Sequence, residues 1–217
     1  MVASATHLGH ELHESGTMEH VAVIKRAKFI DDSVEVRTMF SWASPPDILK
    51  ALKTYSSSFY GCMLWDLAGD KAAQVYNSWN TAVKLTWNCP RQTKTFLVQQ
   101  VLGSGMYSAR TNILARYGSF FGSLRTSSNL EIRVLANLTG RDLLSTTGKN
   151  LRTVQEATGL DPWQTPAAKM KAALHSREQV EVLPQDTWRI EYLCSLLRQH
   201  QEAVYMAREF KTAKRPH

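Results

Sequence analysis

Apolar residues along this chain recur every three or four positions, and no stretch sustains a strict alternation in twos, so the pattern predicts helices. The first 16 residues carry little periodic signal, and Gly9 and Gly16 bracket a polar stretch readable as a strand or a turn. Thr17 is placed to cap a helix that starts at Met18 and runs to about Met39. In it Val23, Ala27, Ile30 and Val34 form an apolar stripe, with Lys25, Lys28, Asp32 and Glu35 on another face. Ser44-Pro45-Pro46-Asp47 is a second start signal: a capping serine, a proline in the first turn, and an aspartate where the helix dipole favours negative charge. Ile48, Leu52, Tyr55 and Phe59 make its stripe, and its end falls near Leu67, before Gly69. A third helix begins at about Asp70, turns Ala72, Val75, Trp79 and Ala82 inward, and closes at Pro90.

Further on, a short helix is predicted over residues 95–102, stopping at Gly103-Ser104-Gly105. The next runs from Tyr107 to about Leu124, with Ile113, Tyr117, Phe120 and Leu124 on one face. Gly118 and Gly122 inside it either permit close packing or mark a break. Arg125-Thr126-Ser127-Ser128-Asn129 is the best linker candidate. Short helices follow at Leu130–Leu138 and Asn150–Thr158, with a loop at Thr146-Thr147-Gly148 between them and Gly159 ending the second. Asp161-Pro162-Trp163 and Thr165-Pro166 punctuate what comes next. A final long helix starts near Pro184, where Ile190, Leu193, Leu197, His200, Val204 and Ala207 approach a heptad seam suited to a partner helix over residues 187–207. Lys211, Lys214 and Arg215 form a basic tail. The fold class is therefore all-α, an irregular helical bundle with at most a short β element at the N-terminus.

Composition changes this picture in two ways. The 217 residues are 43% hydrophobic and 21% charged, ordinary values for a chain with a core. Lysine and arginine number 26 against 19 acidic residues, and a net charge of +7 points toward phosphate-bearing or anionic partners. Cys62, Cys89 and Cys194 are odd in number, far apart and without zinc spacing, which favours small buried thiols in a reducing compartment. The N-terminus lacks a signal-peptide pattern, and no apolar run approaches the roughly 18 residues that would span a bilayer. The expectation is an intracellular protein, nuclear or cytoplasmic, not secreted and with no membrane contact.

Most chemistry is searched for without success. His7, His10, His13 and His20 crowd the start, but His10-Glu11-Leu12-His13 places its second histidine one position short of the metalloprotease spacing. Surface histidines are favoured there over a metal site. Asp31-Asp32 is the only adjacent aspartate pair. A polymerase holds its metal ions with such a pair on a tight turn between strands. Here the pair falls within a helical pattern beside Lys28, as on a solvated face. No phosphate loop, dinucleotide fingerprint or nucleophile elbow is present. No catalytic residue, metal or cofactor is expected. What remains is cationic and aromatic. Lys84, Arg91 and Lys94 surround Trp87, and Arg110, Arg116 and Arg125 line the helix after it. With Lys50 and Lys53 these could track a phosphate backbone; equally, they could be ordinary wet helix faces.

Three segments bear a resemblance. His7-Leu8-Gly9-His10-Glu11-Leu12 resembles the leucine-glycine element that follows the palm in non-LTR, LINE-type retrotransposon reverse transcriptases. The run from Tyr55 to Leu67, with Phe59-Tyr60-Gly61 and Trp65-Asp66, is similar to the aromatic-glycine-tryptophan helix beyond it. Trp79-Asn80, Val83-Lys84, Trp87, Pro90 and Thr93-Lys94-Thr95 match the tryptophan-proline-threonine pattern of the same region. Order and spacing fit over about residues 6–125 and only loosely afterwards.

The resemblance implies a helical thumb lying against a template–primer duplex and holding it through backbone contacts that position without reading sequence. Lys50, Lys53, Lys84, Arg91, Lys94, Arg110 and Arg116 would make those contacts. Phe59, Trp65, Trp79 and Trp87 read as core anchors. The implied organisation is a remnant of the leucine-glycine element at 1–17, a thumb-like helical domain at 18–125, and a C-terminal helical segment at 126–217. Fingers, palm and endonuclease have no counterpart here, so the expected activity is nucleic-acid binding, to RNA–DNA or RNA duplex, and not polymerisation by this chain alone. The competing expectations are a helical protein-interaction or structural protein, and an inert translated remnant.

Overall fold

The computed structural model describes residues 4–7, 10–13, 19–57, 59–89, 93 and 108–176, together with Glu191, Cys194, Ser195, Arg198, Gln199 and Glu202. The bundle is all-α. Its one addition among the described residues is a terminal hairpin, in which β1 (Ser4–His7) pairs antiparallel with β2 (His10–His13), His7 opposite His10 and Ser4 opposite His13. The helices are α1 (Glu19–Met39), α2 (Pro45–Ala51), α3 (Asp70–Thr86), α4 (Ala109–Arg125), α5 (Leu130–Arg141), α6 (Thr146–Thr158) and α7 (Ala167–Ser176).

The chain divides into two compact units, each assembled from separated stretches. The first comprises Met1–Phe29, Ser58–Trp79 and Tyr107–Gln179, the second Ile30–Ser57, Asn80–Met106 and Val180–His217. The expected division at 125/126 does not coincide with them, since α4 and α5 on either side belong to the first unit. Only the short turn 126–129 separates them, and in it the Asn129 side chain accepts from the backbone of Glu131 at 2.8 Å and so caps α5.

In the first unit an aromatic cluster gathers around Phe29, whose ring lies 5.8 Å from Phe59 and 5.7 Å from Trp79. Phe59 in turn meets Trp65 edge-on at 6.2 Å. Offset and edge contacts of this kind are favoured by the ring quadrupoles. Helix α4 is the central rod, packing against α5, α6, α7 and the turn at Cys62–Leu64. It starts where Ser108 accepts from the Thr111 amide at 3.2 Å. Gly118 permits a close approach, because a Cβ there would stand 3.3 Å from the Met170 methyl group, whereas Gly122 has open space. In the second unit Val36, Ile48, Leu52, Val83 and Trp87 are buried. Ser44 donates to the Asp47 carboxylate at 2.5 Å at the start of α2.

Several expectations need correction. In α1 the stripe Val23, Ala27, Ile30 and Val34 faces solvent, and Val21, Ala22, Phe29, Ser33 and Val36 are the buried positions. The helix carries two rival stripes, and the one holding the Phe29 ring is buried. Ser33 tolerates burial by donating to the Ile30 carbonyl within the helix. The helix expected over 45–67 is α only as far as Ala51. A π-helical turn covers Leu52–Ser56, and a 3-10 turn follows at Cys62–Leu64. Thr54 and Ser57 donate to the carbonyls of Lys50 and Lys53, offering the backbone alternatives to the α ladder. Gly61, at φ 81°, then takes the left-handed conformation that side-chain-bearing residues avoid.

Thr146-Thr147-Gly148, expected as a loop, is the first turn of α6, because the Ser145 hydroxyl accepts from the Gly148 amide at 2.9 Å. Helix α7 had no sequence expectation at all. The predicted helix at 95–102 and the seam Ile190, Leu193, Leu197, His200, Val204 and Ala207 lie outside the described residues, although the six described positions between 191 and 202 are helical.

Candidate nucleic-acid interface

Seven cations were expected to hold a phosphate backbone. Lys50 and Lys53 are exposed on α2 and the turn that continues it, three positions apart and so on neighbouring parts of one helical surface. Lys84 is half-buried on α3. Arg110 and Arg116 are exposed on α4. Six residues at about 100° each put them roughly 120° apart around that helix. Arg91 and Lys94 lie outside the described residues. The expected set is thus spread over both units, Lys50, Lys53 and Lys84 in the second and Arg110 and Arg116 in the first.

Two of the three arginines of α4, Arg110 and Arg116, act electrostatically on buried groups of the first unit. Arg116 pulls on the thiol of Cys62, which is fully buried. Burial pushes this thiol up to about 11, against the pull of the guanidinium. Arg110 acts on the Tyr76 hydroxyl, which burial raises above the usual tyrosine range while Cys62 and Asp66 add to the rise. The Tyr76 hydroxyl and the Trp65 indole nitrogen are buried with no hydrogen-bond partner. Burial also raises the Cys89 thiol. All three cysteines are free.

A second cationic centre was invisible in the sequence. Arg125 and Arg141 both lie over the Trp163 ring, 5.7 and 5.8 Å from its centroid. Phe121 meets the same ring edge-on at 5.0 Å, and Arg125 donates to the Pro162 carbonyl at 3.0 Å. An indole face holds a guanidinium by cation–π attraction while leaving donors free to meet phosphate oxygens. Arg125 had been noted as a cation of α4; Arg141 and Trp163 had not been joined to it. The three are separated by 16 and 22 positions, and only the turn at Asp161–Thr165 brings the indole back. That turn is set by the Asp161 carboxylate accepting from the Trp163 amide at 2.8 Å.

The four expected core anchors, Phe59, Trp65, Trp79 and Trp87, are all buried, so none presents a free ring for base stacking. The segment carrying Trp65 is fixed by a residue that the sequence did not single out. Asn150, buried on α6, donates to the Trp65 carbonyl at 2.7 Å and accepts from the Leu67 amide at 2.8 Å. Tyr117 donates to the Thr147 carbonyl at 3.3 Å, and burial lifts its hydroxyl up to about 12. The aspartate pair Asp31-Asp32 lies mid-helix in α1, not on a turn between strands. No group of three or more histidine, cysteine or carboxylate side chains among the described residues could hold a metal ion. No helix among them is long and apolar enough to cross a membrane.

Comparison of the chain with protein-family models, with curated proteins and with solved structures finds no match.

Proposed function

We propose that this chain is a helical module that binds nucleic acid through the phosphate backbone without reading base sequence, akin to the thumb region that follows the palm in non-LTR reverse transcriptases. The observation that carries the reading is the charge of the helical region 108–176. It holds nine lysines and arginines against four acidic residues. Arg110, Arg116 and Arg141 are exposed there, and Arg141 shares the Trp163 ring with Arg125. Such a surface attracts a polyanion by counterion release, which is indifferent to sequence. The resemblance of the N-terminal leucine-glycine element and of the tryptophans at 65, 79 and 87 supports the same reading. Polymerase activity is not part of it, because Asp31 and Asp32 sit on a helix where they cannot hold metal ions as a palm pair does.

The test is a titration of labelled RNA–DNA hybrid, duplex DNA and single strands at several salt concentrations. Binding should weaken steeply with salt, with a slope of about −0.9 per phosphate contact on duplex DNA, and should vary little with base sequence. Reversing Arg110, Arg116 and Arg141 to glutamate should flatten the slope, as should reversing Lys84, Arg91 and Lys94. Reversing Lys211, Lys214 and Arg215 should matter less. A folded protein that binds none of these at low salt, or that loses binding only with the tail variant, would overturn the proposal.

A further inference from the structure

Helix α5 is amphipathic the wrong way round. Its buried positions are the small residues Ala136 and Gly140. Gly140 must be small, because a Cβ there would stand 2.8 Å from the Trp163 ring. The large apolar residues point outward: Leu130, Val134, Leu135 and Leu138 are 63, 47, 61 and 66% exposed. Leu130, Val134 and Leu138 follow at four-residue spacing and stand one above another on a single face, with Leu135 beside them. Leu143 and Leu144 carry the exposed apolar surface past the helix end. A continuous apolar stripe of this kind marks an interaction surface.

Charge identifies what the stripe accepts. Glu131 and Arg141 lie at opposite ends of α5, both exposed, ten residues and about 15 Å apart, with the Arg141 guanidinium reaching back over the Trp163 ring while its side chain stays open to solvent. When two such helices pair antiparallel through their outward faces, with the twofold axis at the level of residue 136, Glu131 of each copy faces Arg141 of the other. Leu138 of one packs toward Leu130 and Val134 of its neighbour. A parallel pairing sets like charges together and loses both contacts. The surface is therefore complementary to itself in one orientation, the condition for an isologous dimer. We propose that α5 is a dimerisation helix and that its partner is a second copy of this chain. The proposal shares Arg141 with the nucleic-acid reading, and Val134 and Leu138, which that reading does not use, separate the two.

Sedimentation velocity of the full chain, freed of nucleic acid and measured over a wide concentration range, tests it. The wild type should show a monomer–dimer equilibrium. Val134→Glu and Leu138→Glu should weaken association at least about 100-fold while leaving circular dichroism unchanged, since neither residue is in the core. Glu131→Arg and Arg141→Glu should each weaken it about tenfold, and the double variant should recover most of that loss. A wild type that stays monomeric throughout overturns the proposal, as does a dimer that the leucine and valine variants leave intact. A double charge variant no stronger than its singles contradicts the antiparallel geometry. An α5 covered by another segment of the same chain would appear as the first of these outcomes.

Discussion

Helices α3 and α5 carry apolar residues at the same three-and-four spacing and direct them oppositely. In α3, Ala72, Val75, Trp79 and Ala82 are all buried. In α5 the comparable positions, Leu130, Val134, Leu135 and Leu138, face solvent, and only Ala136 and Gly140 turn inward. Periodicity shows that a helix has an apolar face; it does not show whether that face meets its own chain. The deciding difference is size. Alongside its smaller members, the α3 stripe contains an indole that the Phe29 cluster encloses, whereas α5 sits so close to Trp163 that only glycine fits at position 140.

The sharpest way to break the inward side of this comparison is Trp79→Ala. Removing a ring that is 1% exposed should cost about 3–5 kcal/mol, read as a fall in the midpoint of chemical unfolding. Unchanged stability with lost nucleic-acid binding would make Trp79 a stacking platform instead of a core anchor. Asn150→Ala should come next, at about 2–4 kcal/mol, because it strands a buried carbonyl and a buried amide flanking Asp66. Denaturant titration measures it, and Asn150→Asp should not rescue it, since a carboxylate cannot donate to the Trp65 carbonyl.

Gly140→Ala probes the inner face of α5. It drives a methyl group toward the Trp163 ring and should cost about 1–3 kcal/mol, although alanine is the better helix former. A stabilised variant would mean that α5 and Trp163 do not pack as described. The smallest effect concerns Cys62. Its folded-state value is raised from 9.0 to about 11, so the neutral thiol favours folding. That contribution is complete below about pH 9 and is lost as pH rises through 11. At pH 8 a thiol reagent should therefore modify the half-buried Cys194 well before Cys62. Equal rates would show that the site beneath Arg116 is open.

Much of the fold was legible where one strong signal acted alone. The inward set of α3 is as the spacing predicts, and Ser44-Pro45 and Gly159 sit where helices begin or end. Legibility failed where two local signals competed. In α1, two apolar stripes of similar spacing left the choice to the Phe29 cluster. After Ala51 the long apolar pattern gives way to a π turn and a loop, with Gly61 in the left-handed conformation. At residues 146–148, a pair of threonines and a glycine resembled a loop, and the Ser145 cap outweighed them. The candidate interface was legible only as charge. Arg110 and Arg116 could be named as cations, but the Arg125–Trp163–Arg141 group exists only through tertiary contact, and no spacing foretells it.

One measurement tests most directly whether the two stripes differ in kind. Val75→Glu and Leu138→Glu place the same charge at equivalent positions on α3 and α5, and their thermal unfolding can be compared at a concentration low enough to keep the wild type monomeric. Val75→Glu should abolish the cooperative transition, because a carboxylate at a fully buried position has no partner. Leu138→Glu should unfold within about 0.5 kcal/mol of the wild type. Similar losses in the two variants would contradict the outward assignment of α5.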